Sequence, residues 1–235
     1  MSIQDGAVVK DPKQVAGMAA AELVRDGMTV GLGTGSTVYF TLVALARRIR
    51  EEGLQIQGVP TSIDTENKAR DMGIPLIGLD RVERIDVTID GADEADPQFR
   101  LTKGGGGALL REKVVAYLSN HVAIVMTPGK LVSRLGKSFA LPVEVVPFAT
   151  PVITRLMGRL GARAVLRSQI DGKPYLTDNQ NQILDCHFPD GIVDPVALEK
   201  QLATVPGIVE TGLFIELAHQ LYLGKPDGSC EVLSR

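Results

Sequence analysis

Two spacings of apolar residues alternate along the first half of this chain, and each change of spacing marks an element. Val15, Met18, Ala19 and Leu23 recur at helical intervals behind Asp11-Pro12, an N-cap with a proline at the first helical position and Gln14 in the capping-box slot. Gly27 stops that helix, Thr29 to Leu32 reads as a strand, and Val38, Leu42, Leu45 and Ile49 form the stripe of a second helix that ends at Gly53. A strand over Gln55 to Val59, a helix capped by Ser62 and running through Met72, and a strand over Pro75 to Leu79 follow. Val87 and Ile89 alternate with polar neighbours, which predicts a strand over Asp86 to Ile89 ending at the turn signal Asp90-Gly91. Ala108 to Leu118 is predicted as a helix with Leu110, Val114, Val115 and Leu118 on one face, and Val122 to Met126 as a buried strand. Such alternation implies a parallel, doubly wound sheet.

Near Leu135 the pattern changes. Strands are predicted over Leu141 to Val146, Ala164 to Arg167, Pro174 to Thr177 and Gln182 to His187, with one helix from Thr150-Pro151 to Leu160 and another from Asp194-Pro195 to about Val205. Ile208 to Phe214 begins a further strand, and Leu221 to Leu223 and Glu231 to Leu233 flank the Pro226-Asp227-Gly228 turn as a hairpin returning to the main sheet. The expected class is α/β: a doubly wound, mostly parallel sheet formed by residues 1–134 plus 207–235, with a smaller α+β domain at 135–206.

Composition narrows the functions open to such a fold. Of 235 residues, 44% are hydrophobic and 23% charged, which is ordinary for a soluble globular protein. A net charge of −3 without a long basic patch argues against nucleic acid as the main partner. The polar start MSIQDGAVVKDPK lacks a signal core, and no apolar run is long enough to span a bilayer. Cys186 and Cys230 fall in no metal or redox spacing, which fits a reducing cytoplasm. His121, His187 and His219 are scattered, so no metal site is expected.

The candidate chemistry lies in two glycine-rich stretches. GLGTGSTV, residues 31–38, resembles a dinucleotide fingerprint but has Ser36 at the third glycine and no acidic residue ending the next strand, and it lacks the Gly-Lys-Ser/Thr of a P-loop. Thr34, Gly35, Ser36 and Thr37 then offer hydroxyls and N–H groups at a helix N-terminus, suited to a phosphate or sugar hydroxyl or, more simply, to capping the helix. The second stretch is IDGADEADPQFRLTKGGGGALLREK, residues 89–113. Asp90 and Asp93 sit at the carboxyl end of a strand, where open α/β sheets bind ligands. Lys103 opens a glycine run whose N–H groups can approach an anion, and Glu112 lies in the first turn of the helix beyond. A carboxylate to take a proton from carbon, a lysine and N–H donors to hold the resulting oxyanion, and aspartates to move hydroxyl protons form one consistent set. Lys130, in Thr127-Pro128-Gly129-Lys130, also follows a strand end.

Taken together, GLGTGSTV, IDGADEAD, KGGGGALLREK, TPGK, LGKSFALPVEVVP, TDNQNQILD, VPGIVETGLF and the late KPDG turn resemble ribose-5-phosphate isomerase type A nearly end to end. The resemblance implies a Rossmann-like domain with a small α+β domain, a homodimer or homotetramer, and cofactor-free interconversion of D-ribose 5-phosphate and D-ribulose 5-phosphate in the pentose phosphate pathway. It places the general base on Glu112 and substrate contacts on Thr34, Gly35, Ser36, Thr37, Asp90, Gly91, Ala92, Asp93, Lys103, Gly104, Gly105, Gly106 and Lys130, with Lys13 a further candidate for the phosphate. Asp90 is the candidate for assisting ring opening, and Asp90 or Asp93 for moving the proton between O1 and O2. Gly107 and Leu110 depart from the family pattern without removing a proposed catalytic group. The competing readings are a sugar-phosphate-sensing domain, an amino-sugar phosphate deaminase or a coenzyme A transferase.

Overall fold

A computed structural model describes residues 10–235 of the chain. The polar opening segment, on which the expectation of no signal core partly rests, lies outside the described residues over 1–9. Helix α1 (Pro12–Ala21) starts as expected: the Asp11 side chain accepts from the Lys13 N–H and Pro12 stands in the first turn. It is followed by β1 (Thr29–Leu32), α2 (Val38–Glu52), β2 (Gln57–Pro60) and α3 (Ile63–Asp71), whose Ser62 hydroxyl accepts from the Thr65 N–H. Next come β3 (Val87–Gly91), the short β4 (Glu94–Ala95) and β5 (Leu101–Thr102), then α4 (Leu109–Tyr117) and β6 (Val122–Met126). The second half holds β7 (Leu141–Val145), α5 (Thr150–Arg159), β8 (Arg163–Leu166), β9 (Gln182–His187) and α6 (Pro195–Leu202). It ends with β10 (Ile208–Thr211), β11 (Leu213–Phe214), β12 (Gln220–Gly224) and β13 (Cys230–Ser234).

The main sheet runs β13-β12-β6-β3-β1-β2 and is parallel except for the β12–β13 hairpin. From β1 the chain crosses outward to β2, then returns to β3 on the other side and continues to β6. The β1/β3 pair is therefore the point where the winding reverses, and the crevice beyond its carboxyl ends is where such sheets bind ligands. Helices α1 and α2 cover one face, where Ala20, Leu42 and Leu45 pack on Val30, Ile89 and Val125. On the other face Val115 of α4 packs with Val59 and Ile85, while Phe214 and Leu101 pack on Ile124 and Leu221. A second, antiparallel sheet, β10-β7-β9-β8, carries its own core of Val143, Leu184, Ile153 and Leu202. A three-stranded ribbon, β11-β5-β4, lies at the junction.

Four local expectations are corrected. Pro75 to Leu79 is no strand. Leu76 alone bridges Gly58, and a 3₁₀ turn follows at Leu79–Arg81, because Pro75 has no N–H to continue a ladder. Pro174 to Thr177 likewise forms only the Ser168–Pro174 bridge, since Pro174 has no N–H and the Thr177 N–H turns back to the Asn181 carbonyl. Ile208 to Phe214 divides at Gly212: β10 pairs with β7, whereas β11 pairs with β5. In α4 the buried positions are Leu109, Glu112, Val115 and Ala116, while Leu110 is half-buried and Val114 exposed. The helix is turned to bury its glutamate rather than its most apolar face.

Candidate active site

The carboxyl ends of β1 and β3 bring the two glycine-rich stretches together. Asp90 ends up beside Gly33, where a Cβ would lie 2.2 Å from Asp90 Oδ1, so the close approach of the two strand ends requires glycine. Asp90 Oδ1 accepts from the Thr34 N–H at 3.1 Å and the Gly91 N–H at 2.7 Å, and Oδ2 faces Lys103 Nζ at 3.0 Å. Lys103 also bonds the Gly91 carbonyl and reaches Glu112 Oε1 at 3.3 Å. Lys103 and Glu112 are only 3% and 4% exposed, so Asp90, Lys103 and Glu112 form a chain of three ionisable groups removed from bulk water. The second Glu112 oxygen, Oε2, is buried without a partner among the described residues.

This environment sets the protonation states. Burial pushes the Glu112 carboxyl up to about 8, with the Asp90 charge adding to the effect and Lys103 opposing it. Burial works against the Lys103 charge as well, but Asp90, Glu112 and Asp93 outweigh it, and its pKa is raised. Lys130, hydrogen-bonded to the Ala92 carbonyl, has a lowered pKa, chiefly through burial, with Lys103 and Lys13 adding to the shift against the pull of Asp93. The site thus holds a basic carboxylate beside a permanent cation, the pairing needed to remove a carbon-bound proton and hold the oxyanion left behind.

Thr34–Thr37, Gly91–Asp93, Lys103–Gly106, Glu112 and Lys130 line one cleft, and Asp90 forms its floor through Lys103. The structure therefore brings together every residue singled out in the sequence. It also divides their roles. The Thr34 hydroxyl is turned inward, 2.8 Å from both the Thr61 and Ser62 hydroxyls, which leaves Ser36, Thr37 and the start of α2 to face the cleft. Lys13, the weaker candidate, reaches the Ser36 hydroxyl at 3.0 Å. Asp93 Oδ2 accepts from the Gly105 N–H at 2.8 Å and so shapes the glycine loop. A more apolar hollow, lined by Val59, Leu79, Leu110 and Val114, lies elsewhere against α4 and holds no such acid–base pair.

Several residues at the site escaped the sequence reading. Glu94, fully buried, accepts from the Gly136, Ser138 and Phe139 N–H groups at 2.7–2.9 Å and ties the 136–139 loop to the acidic stretch. Arg167 and Tyr175 reach the glycine-loop carbonyls from the smaller sheet. Three consecutive residues of α4 diverge: Arg111 meets Asp178 at 3.6 Å, Glu112 enters the cleft, and Lys113 pairs with Glu199 at 2.8 Å and Glu210 at 2.6 Å. A basic or acidic residue on an otherwise ordinary strand gives no local signal of such distant contacts.

Residues 57–228 match the family model for ribose 5-phosphate isomerase A (phosphoriboisomerase A). This chain belongs to that family. Ribose-5-phosphate isomerase A of Bacillus mycoides is 48% identical over 216 residues, covering 92% of this chain and 96% of the relative. The Listeria innocua protein of the same name is 47% identical, with 95% and 98% covered. Among solved structures, ribose 5-phosphate isomerase A from Methanocaldococcus jannaschii superposes with a TM-score of 0.91 at 38% identity, covering 96% of this chain and 99% of that one. A D-ribose-5-phosphate isomerase in complex with phospho-erythronic acid superposes at 0.93 and 36% identity, with 97% and 99% covered. The ribose 5-phosphate isomerase A fold accordingly extends over both sheets described above.

Proposed function

We infer that this chain is an aldose–ketose isomerase that interconverts D-ribose 5-phosphate and D-ribulose 5-phosphate through an enediolate, in the pentose phosphate pathway. The observation that carries the mechanism is the buried Glu112 lining the cleft, with one oxygen beside Lys103 and the other without a hydrogen-bond partner among the described residues. Family membership and the relative that holds phospho-erythronic acid support the choice of substrate. Asp90 assists ring opening. The Glu112 carboxylate then takes the proton from C2, and the C2–H electron pair forms the C1–C2 double bond as negative charge moves onto O1. Lys103 and glycine-loop N–H groups hold that charge. Asp90 or Asp93 moves the proton between O1 and O2, and Glu112 returns its proton to C1. No redox equivalent is gained or lost, so the residues named suffice. The phosphate sits at the start of α2 near Ser36 and Thr37, within reach of Lys13 and Lys130.

The reading includes a division into two units, residues 1–134 with 207–235 and residues 135–206, the first lending β10 to the sheet of the second. It also includes a homodimer or homotetramer in the cytoplasm. Phe148 is 95% exposed, with the exposed Val146 and Val152 nearby in the chain, and offers an apolar surface for a second copy. Cys186 and Cys230 are both unpaired, which suits a reducing compartment. No helix among the described residues is long and apolar enough to cross a membrane.

The test follows the hydrogen. Turnover of ribose 5-phosphate in deuterium oxide is expected to place solvent deuterium on C1 of ribulose 5-phosphate, and the reverse reaction to place it on C2 of ribose 5-phosphate. Partial labelling is expected, because one base carrying the proton between adjacent carbons can return it before exchange. Complete internal transfer, even after long equilibration, indicates a hydride shift and removes the enediolate. Binding without turnover identifies a sensing domain instead.

A further inference from the structure

We propose that Arg167, clamped by Asp185, is a positioning residue for this reaction: it fixes the peptide planes of the glycine loop so that the Gly106 N–H is presented to the enediolate oxygen. The proposal rests on the isomerase reading of the cleft. Four successive glycines have almost no backbone preference of their own, so the loop cannot hold its N–H groups in one direction unaided. An oxyanion donor contributes most when it is already aimed at the charge that develops.

The geometry supplies the missing constraint from the other sheet. Arg167 directly follows β8, and Asp185 lies on the adjoining β9. Arg167 Nε and Nη2 donate to the two Asp185 oxygens at 3.0 and 2.6 Å, a two-pronged pair that fixes the guanidinium plane. Nη1 is left over, and it donates to the Gly104 carbonyl at 2.9 Å and the Gly105 carbonyl at 3.2 Å. Asp93 grips the same loop from the opposite side through the Gly105 N–H. The peptide joining Gly104 to Gly105 is therefore held at both its C=O and its N–H.

The next peptide completes the argument. In a planar trans peptide the C=O and N–H point in opposite directions. With the Gly105 carbonyl turned toward Arg167, the Gly106 N–H is directed away from that guanidinium, and Gly106 lines the same cleft as Lys103 and Glu112. That N–H has no acceptor among the described residues. Tyr175 extends the bracket: its ring lies 5.8 Å from the Arg167 guanidinium carbon and its hydroxyl 3.4 Å from the Gly106 carbonyl. Gly107, at φ 80°, leaves room for that ring, since a Cβ there would come within 2.2 Å of the Tyr175 oxygen.

A residue that aims a transition-state donor leaves a signature that a fold-stabilising residue does not. Arg167→Ala is expected to lower kcat roughly 10–100-fold, somewhat less than outright loss of one oxyanion donor, while KM for ribose 5-phosphate stays within about threefold. Affinity for phospho-erythronic acid, whose carboxylate presents enediolate-like oxygens, should fall by the same factor as kcat/KM. Guanidinium chloride at tens of millimolar should restore part of kcat in Arg167→Ala and none in Asp93→Ala. Arg167→Lys and Asp185→Asn, which keep a cation or the side-chain shape, should give the same kcat-selective loss in weaker form, and they carry the test if Arg167→Ala does not fold. An Arg167 variant with a wild-type melting temperature and kcat within twofold overturns the proposal, as does a rise in KM at unchanged kcat. Absence of turnover in the wild-type chain is a separate result: it removes the isomerase reading and this proposal with it.

Discussion

Replacing Glu112 by glutamine separates the catalytic and energetic roles of one buried carboxylate. The substitution preserves shape and leaves an amide oxygen to accept from Lys103, 3.3 Å away, but it removes the base. Loss of general-base catalysis is worth roughly 10²–10⁴ in kcat. The effect on stability has the opposite sign. In the folded chain burial raises the Glu112 pKa from 4.5 to about 8. Below 4.5 both folded and unfolded chains hold the proton, and stability is unaffected by it. As pH rises from there, the unfolded chain releases the proton to water while the folded chain retains it, and stability falls by about 1.4 kcal/mol per pH unit until pH 8. Glutamine does not titrate, so the variant escapes this loss. The gain toward pH 8 is reduced because Lys103 loses its partner carboxylate, leaving on the order of 3 kcal/mol. In a chain of this length that corresponds to a melting temperature roughly 6–12 °C higher. The assay is paired: direct kcat for ribose 5-phosphate, and thermal melts of both proteins at pH 5, 6.5 and 8. The expected outcome is a nearly inactive variant whose stability advantage is small at pH 5 and widens toward pH 8. A near-normal kcat removes Glu112 from the base role, and an advantage that does not change with pH refutes the burial argument.

Three further outcomes follow from the same geometry. Wild-type kcat/KM should climb with pH up to about 8 and level off above, because Glu112 must be ionised to act; a flat profile between pH 6 and 8 would contradict its raised pKa. Lys103→Ala should lower kcat more than it raises KM, and should destabilise the fold by about 3–5 kcal/mol at neutral pH by leaving buried carboxylates without a cation, which steady-state kinetics and denaturant titration measure together. Activity should survive exhaustive dialysis against a chelator, since His121, His187 and His219 are scattered along the sequence; loss reversed by one specific divalent ion would favour a hydride shift.

The cleft was legible in the sequence because its parts are contiguous and occupy positions with local rules. A strand ending at Asp90-Gly91, a lysine before a glycine run and a helix start after β1 each announce themselves through turn chemistry, and the winding order then brings them to one crevice. The register of α4 was not legible, because burying Glu112 overrides the apolar stripe through Leu110 and Val114; departures of this kind are expected at functional sites. The stretch Pro75 to Leu79 has the apolar content of a strand, but Pro75 lacks the N–H that a ladder needs. Arg167 and Asp185 were invisible for another reason. Their spacing is that of any solvent-facing strand pair, and the carbonyls that Arg167 holds lie 62 and 63 residues away in the chain.

The divergence of Arg111, Glu112 and Lys113 bears on how one carboxylate serves two carbons. Its neighbours on either side in the chain are moored to different parts of the molecule, Arg111 to the turn at Asp178 and Lys113 to Glu199 and Glu210. The helix is thus locked against rolling about its own axis, and a roll would break three ion pairs in every turnover. On the proposed mechanism, the shuttle from C2 to C1 is left to the torsions of a single side chain, working against a sugar held at its phosphate end. An enzyme built in this way needs no hinge to carry the proton, and its catalytic stroke is no longer than the reach of one glutamate.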